Sequence, residues 1–174
     1  MMKREIKLWD YAGQILEGVQ KAALVTTKAD GKVNTMTIGW GTLGVEWGKP
    51  IFVVFVRESR YTMEMLEKNP EFTINVPMGD AKEILKVCGT NSGRDTDKVA
   101  ELGLTLEEGK TVSVPAIKEL PLTLECKVRY RQAQEPAGIP ADITEHYYPK
   151  NAQFPEGDYH TAYYGEITAA YIVE

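Results

Sequence analysis

The sequence predicts one mainly β domain, a largely antiparallel barrel with helices inserted between its strands. Strand-length segments rich in β-branched and apolar residues recur along the chain, and hairpin-type turn signals separate them. Helical patterns fall between them irregularly, without the regular strand-helix alternation of a doubly wound sheet. A length of 174 residues, 43% apolar and 26% charged, suits a single domain spanning residues 1–174 that buries its own core.

From Asp10 to Lys21, Ile15, Leu16 and Val19 share one side of a helical wheel, with Tyr11 and Ala12 a turn earlier, which predicts an opening helix. Ala22 to Lys28 is β-branched and strand-like, and Asp30-Gly31 supplies the positive φ angles of a tight hairpin turn. The next segment, Val33 to Trp47, reads as an irregular strand in which Gly39, Gly41 and Gly44 mark bulges or close backbone approach. After Gly48-Lys49-Pro50, the apolar run Ile51 to Val56 predicts a central strand. Ser59 is placed to cap a helix whose apolar side is Tyr61, Met63, Met65 and Leu66, ending at Asn69-Pro70. Glu71 to Val76 alternates as a strand. Short helices are expected over Asp80 to Val87 and about Asp97 to Leu102, with a polar loop between them. Thr111 to Val114, Leu122 to Gln132 and Tyr159 to Val173 read as strands. Between the last two, a stretch holding four of the nine prolines predicts a long surface excursion, Ala133 to Asp158.

Several function classes lose support. A net charge of −5 gives no chain-wide basic field for nucleic acid. The six-residue run Ile51 to Val56 is far short of the roughly 20 residues of a membrane helix, so no membrane segment is expected. The opening MMKREIKLWDYAGQ has no apolar core or small-residue cleavage site, so no signal peptide is read and the cytoplasm is the expected compartment. Cys88 and Cys126 stand far apart without a CxxC and read as buried, reduced thiols. With only His146 and His160, and no HExxH, no metal site is expected. GxSxG is absent and Ser59 sits among arginines rather than in a nucleophile elbow, so a Ser-His-Asp hydrolase loses support. Gly39-Trp40-Gly41-Thr42-Leu43-Gly44 spells GxGxxG, but no helix follows it, and Leu104 stands where a P-loop ending in Gly109-Lys110-Thr111 needs glycine.

Three polar constellations remain. Arg57-Glu58-Ser59-Arg60-Tyr61-Thr62 follows an apolar strand and opens a helix, where free backbone N–H groups, guanidinium donors and hydroxyls are the parts of a phosphate cradle. The same residues also suit an ordinary helix start with solvated arginines. Asn34 to Gly41 offers small residues against which a flat ligand could lie, or else a half-buried strand. Ser92 to Lys98 could form a polar lid or second phosphate contact, with Asp95 capping the next helix, or a solvated loop.

Taken together, NTMTIGW (34–40), the hydrophobic strand, RESRYT (57–62), NPEFTINVP (69–77), CGTNSGRDTDK (88–98) and H-x-x-x-Y-G-E-I (160–167) resemble the flavin reductase-like, FMN-binding split-barrel family, flavoredoxin included. The likeness runs from about residue 19 to the C-terminus. It implies a six-stranded antiparallel split barrel, a homodimer and a non-covalent FMN at the subunit interface. By position, Asn34, Thr35, Met36, Thr37, Ile38, Gly39 and Trp40 would line the isoalloxazine, largely through backbone groups. Phe55, Val56 and Arg57, with Ser59, Arg60 and Thr62, would hold the ribityl phosphate. Lys98 would add a cation, and His160 with Tyr163 would approach from the last strand. The chemistry would be the flavin's, with NADH or NADPH as donor in a flavin reductase, or a redox protein partner in a flavoredoxin-like electron carrier. A split barrel that holds flavin poorly is a third possibility. The excursion, with His146, Tyr147 and Tyr148, departs from the simplest relatives and could shape the flavin's open face.

Overall fold

The computed structural model describes residues 2–174. Strands β1 (Lys3–Glu5), β2 (Ala23–Ala29), β3 (Lys32–Ile38), β4 (Gly41–Glu46), β5 (Lys49–Arg57), β6 (Glu71–Val76), β9 (Leu122–Ala133) and β10 (His160–Val173) form one sheet. A separate pair, β7 (Leu106–Glu107) and β8 (Ala116–Ile117), lies outside it. The helices are α1 (Ala12–Lys21), α2 (Tyr61–Lys68), α3 (Lys82–Thr90), α4 (Lys98–Glu101) and α5 (Ala141–Tyr147).

The order in the sheet is β3-β2-β6-β9-β10-β5-β4, with β1 added on β10. Every pairing is antiparallel. Laid flat, seven strands at about 4.8 Å spacing would put β3 and β4 about 29 Å apart. The chain allows far less, because Gly39 and Trp40 alone join the two edges and three Cα steps reach at most about 11 Å. The sheet therefore has to curl until its edges nearly meet. Counted this way, the 32–46 segment is one bent strand shared by both edges. The expected six-stranded barrel and the observed eight-stranded sheet are the same object, with β1 as an addition.

Inside the barrel, Phe52, Val54 and Val56 from β5 meet Phe72, Ile74 and Val76 from β6, Leu124 from β9 and Tyr163 from β10. Ile15 and Val19 of α1 complete this core, as the helical wheel requires. A second cluster, containing Leu24, Cys88, Leu104, Ile117 and Leu120, packs α3, α4 and the β7–β8 region onto the other side of the sheet. Cys88 and Cys126 are buried and free. Asp30 (φ 50°) and Gly31 (φ 75°) make the expected hairpin turn between β2 and β3, and Trp47 (φ 52°) with Gly48 (φ 69°) repeats it before β5.

Several local expectations change. The opening helix starts at Ala12, after a 3-10 turn over Leu8–Tyr11. Of the glycines at 39, 41 and 44, only Gly41 is held by crowding: an added Cβ would lie 2.6 Å from Phe52 Cζ. Ser59 does not cap α2; the cap position is Arg60, and the Ser59 hydroxyl is turned to Asp158 instead. α3 runs on through Thr90, taking Cys88, Gly89 and Thr90 out of the predicted loop. Asp97 rather than Asp95 caps α4, its Oδ1 accepting from the Ala100 N–H at 3.1 Å.

Thr111 to Val114 is not a strand. A buried carboxylate replaces the ladder there: Glu125 on β9 accepts from the backbone N–H groups of Lys110 and Thr111 (both 2.6 Å) and from the hydroxyls of Thr111 and Tyr171 (both 2.7 Å). Burial raises its pKa, but these donors outweigh burial and leave it below the ordinary value.

Two outcomes follow. A Cβ at Gly165, where β10 shifts register against β9, would sit 2.5 Å from Phe72 Cζ and 2.8 Å from Cys126 Cβ. Gly165→Ala should therefore cost about 1–3 kcal/mol in urea denaturation. Glu125→Gln turns an amide N–H₂ toward existing donors and should cost about 2–3 kcal/mol at pH 7. Because the folded pKa is depressed, the carboxylate's contribution is present above the ordinary range near about 4.3 and is lost as pH falls through the folded value. The gap between wild type and E125Q should narrow on acidification; a constant gap would contradict the assignment.

Candidate functional site

Where the sheet edges meet, a cavity of about 480 Å³ opens, within the range of small-ligand sites. Its floor is the pocket-facing side of β3 (Asn34, Met36, Ile38) and the Gly39-Trp40 link. The end of β5 (Phe55, Arg57), the start of α2, the α3–α4 loop and the end of the excursion form its walls.

One end is cationic. Lys98 is 4% exposed, and among the described residues its Nζ has one partner, the Asn91 carbonyl at 3.0 Å. Burial lowers its pKa; Cys88 works against that shift and Arg60 adds to it. Arg60 makes no ion pair among the described residues, and Arg57 is held only by carbonyls, those of Asp158 (2.7 Å) and Tyr147 (3.1 Å). Three cations thus line one cavity without a salt-bridging carboxylate. The α2 N-terminus beside them carries no side-chain cap, so its first N–H groups and dipole add to the positive field. Arg94 differs: it pairs with Glu64 and donates to the Ser59 carbonyl at 3.0 Å.

The other end is aromatic. Trp40 lies 4.9 Å from the His160 ring and edge-on to Tyr147 at 5.2 Å. Burial first, then Arg57, push His160 down to about 4, with Asp158 opposing. Its ring is therefore neutral at pH 7. Behind Trp40 and Phe55 lies a second opening of about 420 Å³, lined also by Leu16, Val19, Gln134 and Tyr148.

Most of the expected binding residues meet here. Asn34, Met36, Thr37, Ile38, Gly39 and Trp40 line the cavity, and so do Phe55, Arg57, Ser59, Arg60 and Thr62. Lys98 and His160 join them from distant parts of the chain. Thr35, Val56 and Tyr163 do not line it. Strand alternation explains the first two: Thr35 is buried against Thr26, its hydroxyl accepting at 3.1 Å, and Val56 points into the core. Tyr163 is 1% exposed inside the barrel and donates to Glu67 Oε1 at 2.8 Å. The Thr62 hydroxyl already accepts from Asn34 Nδ2 at 3.2 Å.

Sequence reasoning missed Asp158, Gln153 and Phe154, which the excursion brings to the cavity. Asp158 anchors that segment by accepting from the Ser59 hydroxyl (2.6 Å) and N–H (3.2 Å). The four prolines flagged the excursion as a unit, but nothing local revealed which of its residues turn inward.

The profile of the flavin reductase like domain family matches residues 19–174. Among solved structures, the flavoredoxin of Methanosarcina acetivorans is 29% identical with a TM-score of 0.66, over 88% of this chain and 68% of that one. The flavoredoxin of Desulfovibrio vulgaris is 26% identical with a TM-score of 0.67, over 88% and 69%. An FMN-binding domain of a flavin reductases-like enzyme from Shewanella baltica, at 20% identity and a TM-score of 0.69 over 98% and 77%, shares the fold. An uncharacterised protein of Archaeoglobus fulgidus is 36% identical over 97 residues, 56% of this chain and 54% of its own. This chain spans about half the length of the curated relatives it matches. With the profile covering everything from residue 19 onward, the chain belongs to the flavin reductase-like family.

Proposed function

We propose that this protein is an FMN-binding oxidoreductase of the flavin reductase type, which takes hydride or electrons from NADH or NADPH at a non-covalently held FMN and passes them on. The observation that carries the reading is the pairing of three cations without salt-bridging carboxylates with an aromatic wall in one cavity. A ligand that is dianionic at one end and planar at the other satisfies both, and FMN is such a molecule.

Arg57, Arg60, Lys98 and the first N–H groups of α2 would hold the phosphate. Ile38, Gly39, Trp40 and Phe55 would seat the ring and exclude water from one side of it. When bound, the flavin supplies hydride acceptance and one- or two-electron transfer, so this chain's own residues bind, orient and tune. Leu16, Trp40, Val45 and Trp47 stay exposed in a single chain, apolar surface that a second copy would cover. This supports a homodimer; the flavin at the subunit interface and the cytoplasm as compartment complete the proposal.

The resemblance to two flavoredoxins at 29% and 26% identity favours a second reading, an electron-transfer protein reduced by a protein partner. Anaerobic titration separates the two: bleaching of the bound flavin by NADH or NADPH within seconds supports the reductase, and bleaching only by a reduced redox protein supports the carrier.

The purified protein should be yellow, or take up added FMN, and release about one FMN per chain on acid treatment; a colourless chain that binds none would overturn the reading. Arg60→Ala and Lys98→Met should each weaken FMN binding about 10- to 100-fold, the worth of a charge-assisted hydrogen bond. Lys98→Met should leave the flavin-free protein as stable as before or more so, since it removes a buried, under-paired ammonium.

A further inference from the structure

We infer that Tyr148 is a positioning residue that holds His160 as its Nε2–H tautomer, so that the ring presents a hydrogen-bond donor to the cavity. Its target is an acceptor atom, a carbonyl oxygen or unprotonated ring nitrogen, on a planar ligand bound there.

The argument begins with the Tyr148 hydroxyl. Tyr148 is 4% exposed and His160 6%, and the phenol oxygen lies 2.9 Å from His160 Nδ1. No other partner is within reach of that hydroxyl among the described residues. If Nδ1 carried the proton and donated to the phenol oxygen, the phenol's own hydrogen would have no acceptor among the described residues. If the phenol donates to a bare Nδ1, that conflict disappears and the ring proton moves to Nε2. Nε2 makes no hydrogen bond within the described residues, yet every fully buried side-chain nitrogen and oxygen there has a partner. Nε2 is therefore reachable by solvent, and His160 borders the cavity.

Charge and packing hold the pair in place. Arg57 from β5, Arg60 ahead of α2 and Asp158 ahead of β10 are the charged groups bearing on His160. The two guanidiniums and burial disfavour an imidazolium, against the single carboxylate. Tyr148 is clamped from three directions: it stacks on Tyr159 at 4.6 Å, lies under the Arg57 guanidinium at 5.2 Å, and its N–H donates to the Thr144 carbonyl at 2.9 Å. Arg57 also donates to the Tyr147 carbonyl, so the cation that bears on His160 also fixes the backbone beside Tyr148. Trp40, with its ring 4.9 Å from the imidazole, also limits rotation of His160.

The nature of the ligand rests on the flavin reading; the tautomer does not. The test is long-range proton–nitrogen correlation NMR on flavin-free protein with labelled histidine at pH 7. His146 is exposed on α5 and serves as internal reference, identified by its loss in His146→Gln. His160 should be a single neutral Nε2–H species; an Nδ1–H ring or an imidazolium would overturn the proposal. In Tyr148→Phe the His160 signals should move toward a mixture of tautomers, and an unchanged single tautomer in a folded variant would show that Tyr148 does not set it. Should that variant not fold, the wild-type spectrum decides alone. Adding FMN should shift the Nε2 signal far more than Nδ1. Binding with Nε2 unmoved would overturn the donor role. No binding, with the tautomer as stated, would instead sink the flavin reading and leave this inference standing on its structural half.

Discussion

Two residues, Gly39 and Trp40, are the constraint on which the rest of this structure depends. They join strands at opposite edges of a seven-strand path, so the sheet cannot lie flat. Closure creates an interior, filled by alternate side chains of β5, β6, β9 and β10, and it also leaves a seam where the edges approach without pairing. The seam is where backbone and side chains remain available, and the cavity opens there. Fold and site share one cause: the link that forces closure also puts Trp40 on the cavity's wall.

The electrostatics of the seam run against folding stability. Outside the cavity, the partly buried Glu166 is paired, as Lys49–Glu166–Arg129, and the buried Glu125 is satisfied by backbone donors. At the cavity Arg60 and Lys98 have no carboxylate partner among the described residues, and desolvation lowers the lysine's proton affinity. A buried ammonium with one hydrogen bond is a cost to the free protein that an anion would relieve. Such a local cost to stability is what the proposed anion site would require.

Much of this was legible in the sequence, for identifiable reasons. Asp30-Gly31 gave its turn because only residues tolerating positive φ close such a hairpin, and Ile51 to Val56 gave a doubly paired strand because both its faces are covered. The cluster at 57–62 was visible because the strand end and the helix start are adjacent in the chain. Alternation hid Thr35 and Val56: a motif marks a stretch, while a strand turns every second side chain away. Tyr163 was missed as a core residue because its hydroxyl finds Glu67, far away in sequence. Asp158 was missed for the same reason, since its partner Ser59 reads locally as a helix cap. What sequence conceals here is long-range satisfaction of polar groups.

Glu125 carries a consequence for motion. The backbone around residues 110 and 111 is tied to the barrel by one carboxylate rather than by a ladder of strand hydrogen bonds. A ladder frays rung by rung, but these two amides share a single acceptor group and lose it together. Their exchange with solvent deuterium is thus one cooperative event, coupled through Tyr171 to the last strand of the barrel rather than to the adjacent β7–β8 pair.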